Sequence, residues 1–85
     1  MNHQIKIKKV MKAEVFKLIR EVSEHVGVIE NQMCLYDDIG IDSLSIVDLI
    51  SEVEKSLEIA FLDSEVEGIK TVEHLLKAVE TKLNK

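Results

Sequence analysis

The chain has 85 residues, 46% of them hydrophobic and 32% charged, with no proline, no tryptophan and few aromatics. That balance excludes a disordered segment, favours helices over a sandwich or barrel, and fits one small domain with a modest core. A single cysteine excludes an internal disulfide or a cysteine-built zinc site, and no apolar run is long enough to span a bilayer.

The formal net charge of −5 is unevenly spread. Residues 1–12 carry Lys6, Lys8, Lys9 and Lys12 and no acid, whereas residues 21–67 carry thirteen Asp or Glu against one base, Lys55. Such a field repels phosphate backbones, so nucleic acid is not an expected partner of the domain body; it attracts proteins with Lys and Arg patches. The basic start is not followed by the apolar stretch of a signal peptide, and a cytoplasmic, monomeric protein without membrane insertion is expected.

Residues 1–10 alternate Ile5, Lys6, Ile7, Lys8 and read as a mobile basic arm preceding a domain over residues 11–85. Met11, Val15, Leu18, Ile19, Val22 and Val26 form a helical stripe, with Gly27 as its expected cap. Residues 28–41 form a long connection whose Val28, Ile29, Met33, Leu35, Ile39 and Ile41 suggest a loop packed on the core. A second helix starts at Asp42 or Ser43 and runs to about Leu57, with Ile46, Leu49, Ile50, Val53 and Leu57 inward. Ile59, Phe61 and Leu62 anchor a change of direction, and residues 64–68 read as one helical turn closed by Gly68. Thr71 opens a last helix with Val72, Leu75, Leu76, Val79 and Leu83 facing inward. The expected fold is all-α: a small four-helix bundle of three longer helices and one short one.

Ser43 stands at the junction of the polar loop and the second helix. A hydroxyl there is poorly placed for burial and well placed for modification. A phosphate ester on it would meet the free N–H groups and positive dipole end of the helix. On the serine alone, the plainer reading is an ordinary helix cap.

The run Leu35-Tyr36-Asp37-Asp38-Ile39-Gly40-Ile41-Asp42-Ser43-Leu44 resembles the prosthetic-group site of acyl carrier proteins. The order of apolar residue, two variable positions, Asp, Leu or Ile, Gly, one variable position and Asp-Ser-Leu is matched without a gap, and the helix order over residues 11–83 is also that of the family. The resemblance implies 4′-phosphopantetheine on Ser43, transferred from coenzyme A by a separate phosphopantetheinyl transferase, with Asp42 and Leu44 flanking it. It implies a carrier, not an enzyme: acyl intermediates ride as thioesters, in fatty-acid or specialised, polyketide-type biosynthesis. Leu44, Val47, Asp48, Glu52 and Glu54 would face acyl-loading and acyl-processing enzymes with basic docking patches. Ile46, Ile50, Leu62 and Leu76 would line an interior able to shelter an aliphatic chain. Ser45, Ser51, Lys55 and Ser56 depart from the commonly acidic or bulkier residues of fatty-acid carriers, which favours a dedicated pathway.

Rival readings are weaker. A serine hydrolase needs a Gly-x-Ser-x-Gly elbow, absent around Ser43. A calcium loop begun at Asp38 places Ser43 at the required glycine and Leu49 at the required glutamate. His3, His25 and His74 lack metal-ligand spacing and read as surface residues, and Cys34 reads as a packed side chain. An aminoacyl or peptidyl carrier commonly has glycine where Ile41 stands; that alternative and an unmodified acidic adaptor stay open.

Overall fold

The computed structural model describes the backbone of residues 2–23, 25 and 27–83, and side chains from residue 9 onward within those ranges. Four helices follow one another: α1 (Asn2–Ser23), α2 (Ser43–Leu57), α3 (Asp63–Glu67) and α4 (Val72–Leu83). Helix α1 packs on α2 and, more lightly, on α4. The only β feature among the described residues is an isolated antiparallel bridge between Cys34 and Thr71.

The apolar stripes read from the sequence are the core. Met11, Val15, Leu18 and Ile19 of α1, Ile46, Leu49, Ile50 and Val53 of α2, and Val72, Leu75, Leu76 and Val79 of α4 are buried. Val22, Leu57 and Leu83 pack at the edge. No buried residue among those described is polar or charged, so the core is held by apolar burial alone.

Helix α1 departs from expectation at both ends. It begins at Asn2, so residues 2–10 are helical and not an arm without secondary structure. It stops at Ser23, short of Gly27, where the Ser23 hydroxyl donates to Ile19 O (2.6 Å) and accepts from His25 N (3.1 Å). A side chain that takes the helix's own backbone partners ends the ladder. Gly27 lies beyond that end with φ +122°. Val26 and the His3 side chain lie outside the described residues.

The 28–41 connection is part of the core. Ile29, Leu35, Ile39 and Ile41 are buried, although Val28 is exposed. The connection is stitched to the α3–α4 junction by Leu35 N to Lys70 O (2.9 Å), Val72 N to Met33 O (3.0 Å) and Glu73 N to Asn31 O (2.9 Å). At that junction Thr71 Oγ1 accepts from His74 N (3.1 Å), while His74 Nδ1 accepts from the backbone N–H groups of Lys70 (3.1 Å) and Thr71 (3.3 Å). This is a reciprocal cap in which an exposed histidine stands where Glu or Gln is usual.

Helix α2 closes at Glu58, a non-glycine residue with φ 57° whose N–H donates to Glu54 O. Helix α3 has no buried residue. It is fixed by Glu65, whose Oε1 accepts from Leu62 N (2.7 Å) and from Lys82 Nζ of α4 (2.9 Å).

Leu35 is completely buried, so Leu35→Ala costs about 2–5 kcal/mol. Val28→Ala, at a 73% exposed position, changes stability by no more than about 0.5 kcal/mol. Urea unfolding followed by circular dichroism measures both.

Candidate functional site

The site is assembled by a tight turn. Asp38 Oδ2 accepts from Cys34 N (2.7 Å), and Cys34 O accepts from Asp38 N (3.0 Å) and Ile39 N (3.1 Å). Gly40 has φ +86°, a conformation costly for any residue with a Cβ, although no atom lies within 4 Å of where that Cβ would be. Backbone shape, not space, requires glycine there. Ile41 N then donates to Leu35 O (2.9 Å) and the Ile41 side chain is buried, which delivers the next residues to the surface.

Asp42 is the N-cap of α2. Its Oδ1 accepts from Leu44 N (3.1 Å) and Ser45 N (2.7 Å). The carboxyl is held below the usual carboxylate range, first by the Ser45 N–H and then by the Ser45 hydroxyl, which outweigh desolvation, with the smallest share from the Leu44 N–H. Ser43 is the first residue of the helix and is exposed.

One expectation is corrected here. A phosphate on Ser43 does not meet a fully free set of helix N–H groups, because Asp42 already occupies two of them. The helix dipole still favours an anion there, while the neighbouring carboxylate opposes one.

Leu44 (79% exposed) and Val47 (62%) stand out of the surface three residues apart on α2, with Asp48 and Glu52 also exposed. Glu54 differs from the other residues assigned to that face. It is half-buried, and its Oε2 accepts from Phe61 N (2.8 Å), so it serves the α2–α3 connection. Leu62, assigned to the interior, is 67% exposed. It is the N-cap residue of α3, and its backbone is fixed by Glu65 while its side chain points away from the core. The position just before Asp63-Ser64-Glu65 was the available signal for that exposure, since a helix's capping residue sits outside its packed face.

Among the described residues, no group of three or more His, Cys, Asp or Glu could hold a metal ion, and no helix is long and apolar enough to cross a membrane. Cys34 is half-buried beside the bridge to Thr71; His25 is half-buried.

An exposed serine on the first turn of a helix, set there by a glycine turn and an aspartate cap, belongs to a recognisable class. Residues 14–79 match the family described as Phosphopantetheine attachment site. The chain is 36% identical over 75 residues to the acyl carrier protein of Thermotoga maritima, covering 82% of this chain and 93% of that one. It is 35% identical over 69 residues to the acyl carrier protein of Saccharopolyspora erythraea, covering 75% and 73%. A solved structure from Mycobacterium tuberculosis, assigned as an acyl carrier protein, superposes with a TM-score of 0.80 at 30% identity, over 84% of this chain and 96% of that one. The chain belongs to the acyl carrier family of phosphopantetheine-attachment domains. Its prosthetic group is covalently bound 4′-phosphopantetheine, and members of this family are carriers rather than catalysts. The exposed Ser43 on the first turn of α2 fits attachment of such a group.

The Asp42 cap carries a pH signature. Because its folded carboxyl ionises below the unfolded value of about 4, its stabilisation is complete above that pH and is lost as pH falls through the folded value. Asp42→Ala therefore lowers the thermal midpoint at pH 7, and the gap from the parent protein narrows across the acid range below about pH 4. Circular-dichroism melts across that range test it.

Proposed function

We propose that this protein carries acyl intermediates as thioesters on 4′-phosphopantetheine attached to Ser43, for fatty-acid or polyketide-type biosynthesis. The observation that carries the reading is the exposed Ser43 hydroxyl on the first turn of α2, immediately after an aspartate already committed to capping. When bound, the group supplies a thiol that holds the acyl chain as an activated ester.

The chain's own residues present and do not catalyse. Asp42 fixes the helix start, Gly40 turns the backbone, and buried Ile41 and Leu35 keep the junction from shifting. The Asp42 carboxylate repels a phosphate on the neighbouring residue, which favours an arm extended into solvent, where successive enzymes reach it. No acid or base of the domain is needed, since a separate transferase performs the attachment. The protein then acts as a cytoplasmic, monomeric shuttle.

Acyl rather than aminoacyl cargo is supported by Ile41. It is 2% exposed and part of the core, at the position where aminoacyl carriers commonly have glycine. A dedicated rather than general pathway is supported by two of the departures. The Ser45 N–H and hydroxyl serve the Asp42 cap, and the Ser56 hydroxyl donates to Glu14 Oε2 of α1 (2.6 Å). Both serines answer to this fold rather than to an acidic docking run.

Partners are recognised by Leu44 and Val47 together with Asp48 and Glu52, the apolar pair giving contact and the acids steering basic patches. Glu54 contributes through its grip on Phe61 rather than by direct contact.

Incubation with coenzyme A and a broad-specificity transferase adds one phosphopantetheinyl mass, and Ser43→Ala removes the addition while keeping the helical spectrum. Intact-mass spectrometry decides it; an addition surviving in the alanine variant places the arm elsewhere. Asp48→Lys with Glu52→Lys slows transfer to a basic partner enzyme about tenfold or more at low salt and much less at high salt. Stopped-flow transfer kinetics measure the difference.

A further inference from the structure

The acidic surfaces suit the carrier reading, but the outer face of α1 has the opposite sign and no part in it. Lys9, Ala13, Lys17 and Arg20 are spaced by four, four and three residues, which places them on one side of the helix over about 16 Å. All four are exposed, and they lie opposite the buried Met11, Val15, Leu18 and Ile19. Among the described residues, neither Lys9, Lys17 nor Arg20 forms an ion pair. The two acids described on α1 do not neutralise the strip: Glu14 is taken by Ser56, and Glu21 is exposed at its border.

We propose that this basic strip of α1 docks the protein reversibly on an anionic lipid surface. Charge complementarity selects an anionic partner, and the composition of the face selects the kind. A protein interface is centred on desolvated apolar or aromatic anchors. This strip has only Ala13 at its middle, exposed Val10 at one edge, and at the other half-buried Phe16 with Lys12 over its ring. A row of unpaired cations without an apolar centre suits a fluid field of anionic head groups, which can gather beneath each charge. The acids of α2 do not cancel the attraction, because α2 packs against the buried side of α1. A helix about 10 Å across separates them from the strip, so a head group meets the strip's cations at contact and the α2 acids only at a distance where Coulomb repulsion is weaker. Docking is peripheral, since no described helix is suited to span the bilayer.

The test is co-sedimentation of the full chain with phosphatidylcholine vesicles, with and without 30% phosphatidylserine, at low and high salt. Binding is expected only with phosphatidylserine and at low salt. Lys9→Glu, Lys17→Glu and Arg20→Glu together reduce it about tenfold or more, with an unchanged circular-dichroism spectrum. Lys55→Glu, Lys70→Glu and Lys77→Glu together change net charge equally but leave most of the binding. No binding to phosphatidylserine vesicles at low salt overturns the proposal, as does equal loss in both triple variants, which reduces the effect to net charge. Low-salt self-association by sedimentation velocity, lost in the strip variant and without vesicle binding, would make a second copy the occupant and equally overturn it.

Discussion

The structure depends on the seam between the 31–35 segment and the α3–α4 junction. Three backbone hydrogen bonds, from Leu35 to Lys70, Val72 to Met33 and Glu73 to Asn31, join a long connection to the start of α4. Completely buried Leu35 locks the register of that seam. From Leu35 the chain reaches Ser43 through one hydrogen-bonded turn, so the position of the Ser43 hydroxyl is inherited from the seam rather than set by α2 alone. A loop carrying four core residues behaves as a structural element, because releasing it would expose as much apolar surface as melting a helix stripe.

At the junction two demands compete for the same backbone amides. The helix needs its first N–H groups satisfied, and an anionic group on the adjacent serine would use them too. The Asp42 carboxylate takes Leu44 N and Ser45 N. Two of the first N–H groups are thereby taken by the chain itself, and Ser43, proposed to carry the arm, is exposed. For a carrier this is advantageous: an arm bound down on its own protein would be withheld from the enzymes it must visit.

Charge is arranged by element. The exposed acids Asp48 and Glu52 lie on α2 beside Leu44 and Val47, whereas the outer side of α1 carries Lys9, Lys17 and Arg20. The net −5 is thus a difference between faces of opposite sign. At physiological salt each face acts on its own neighbourhood, since the interaction between exposed charges decays over about 8 Å. A protein that must meet several surfaces in turn can present a different face to each.

The sequence by itself determined the helical class, the core stripes and the loop-to-helix position of Ser43, because periodicity and the Asp-x-Gly-x-Asp-Ser-Leu order are local signals carried by neighbouring residues. It did not reveal that α1 extends back to Asn2: the alternating Ile5-Lys6-Ile7-Lys8 segment has no helical period of its own and continues a helix nucleated by the packed residues after it. Nor did it reveal the early end of α1 at Ser23 or the inward duty of Glu54. The first is a choice among competing local partners, Ser23 taking Ile19 O within its own helix, and the second arises where the chain turns from α2 toward α3 and Glu54 meets Phe61 N. Local residue order fixes where a helix can form, but only tertiary packing decides which polar and apolar groups remain for other molecules.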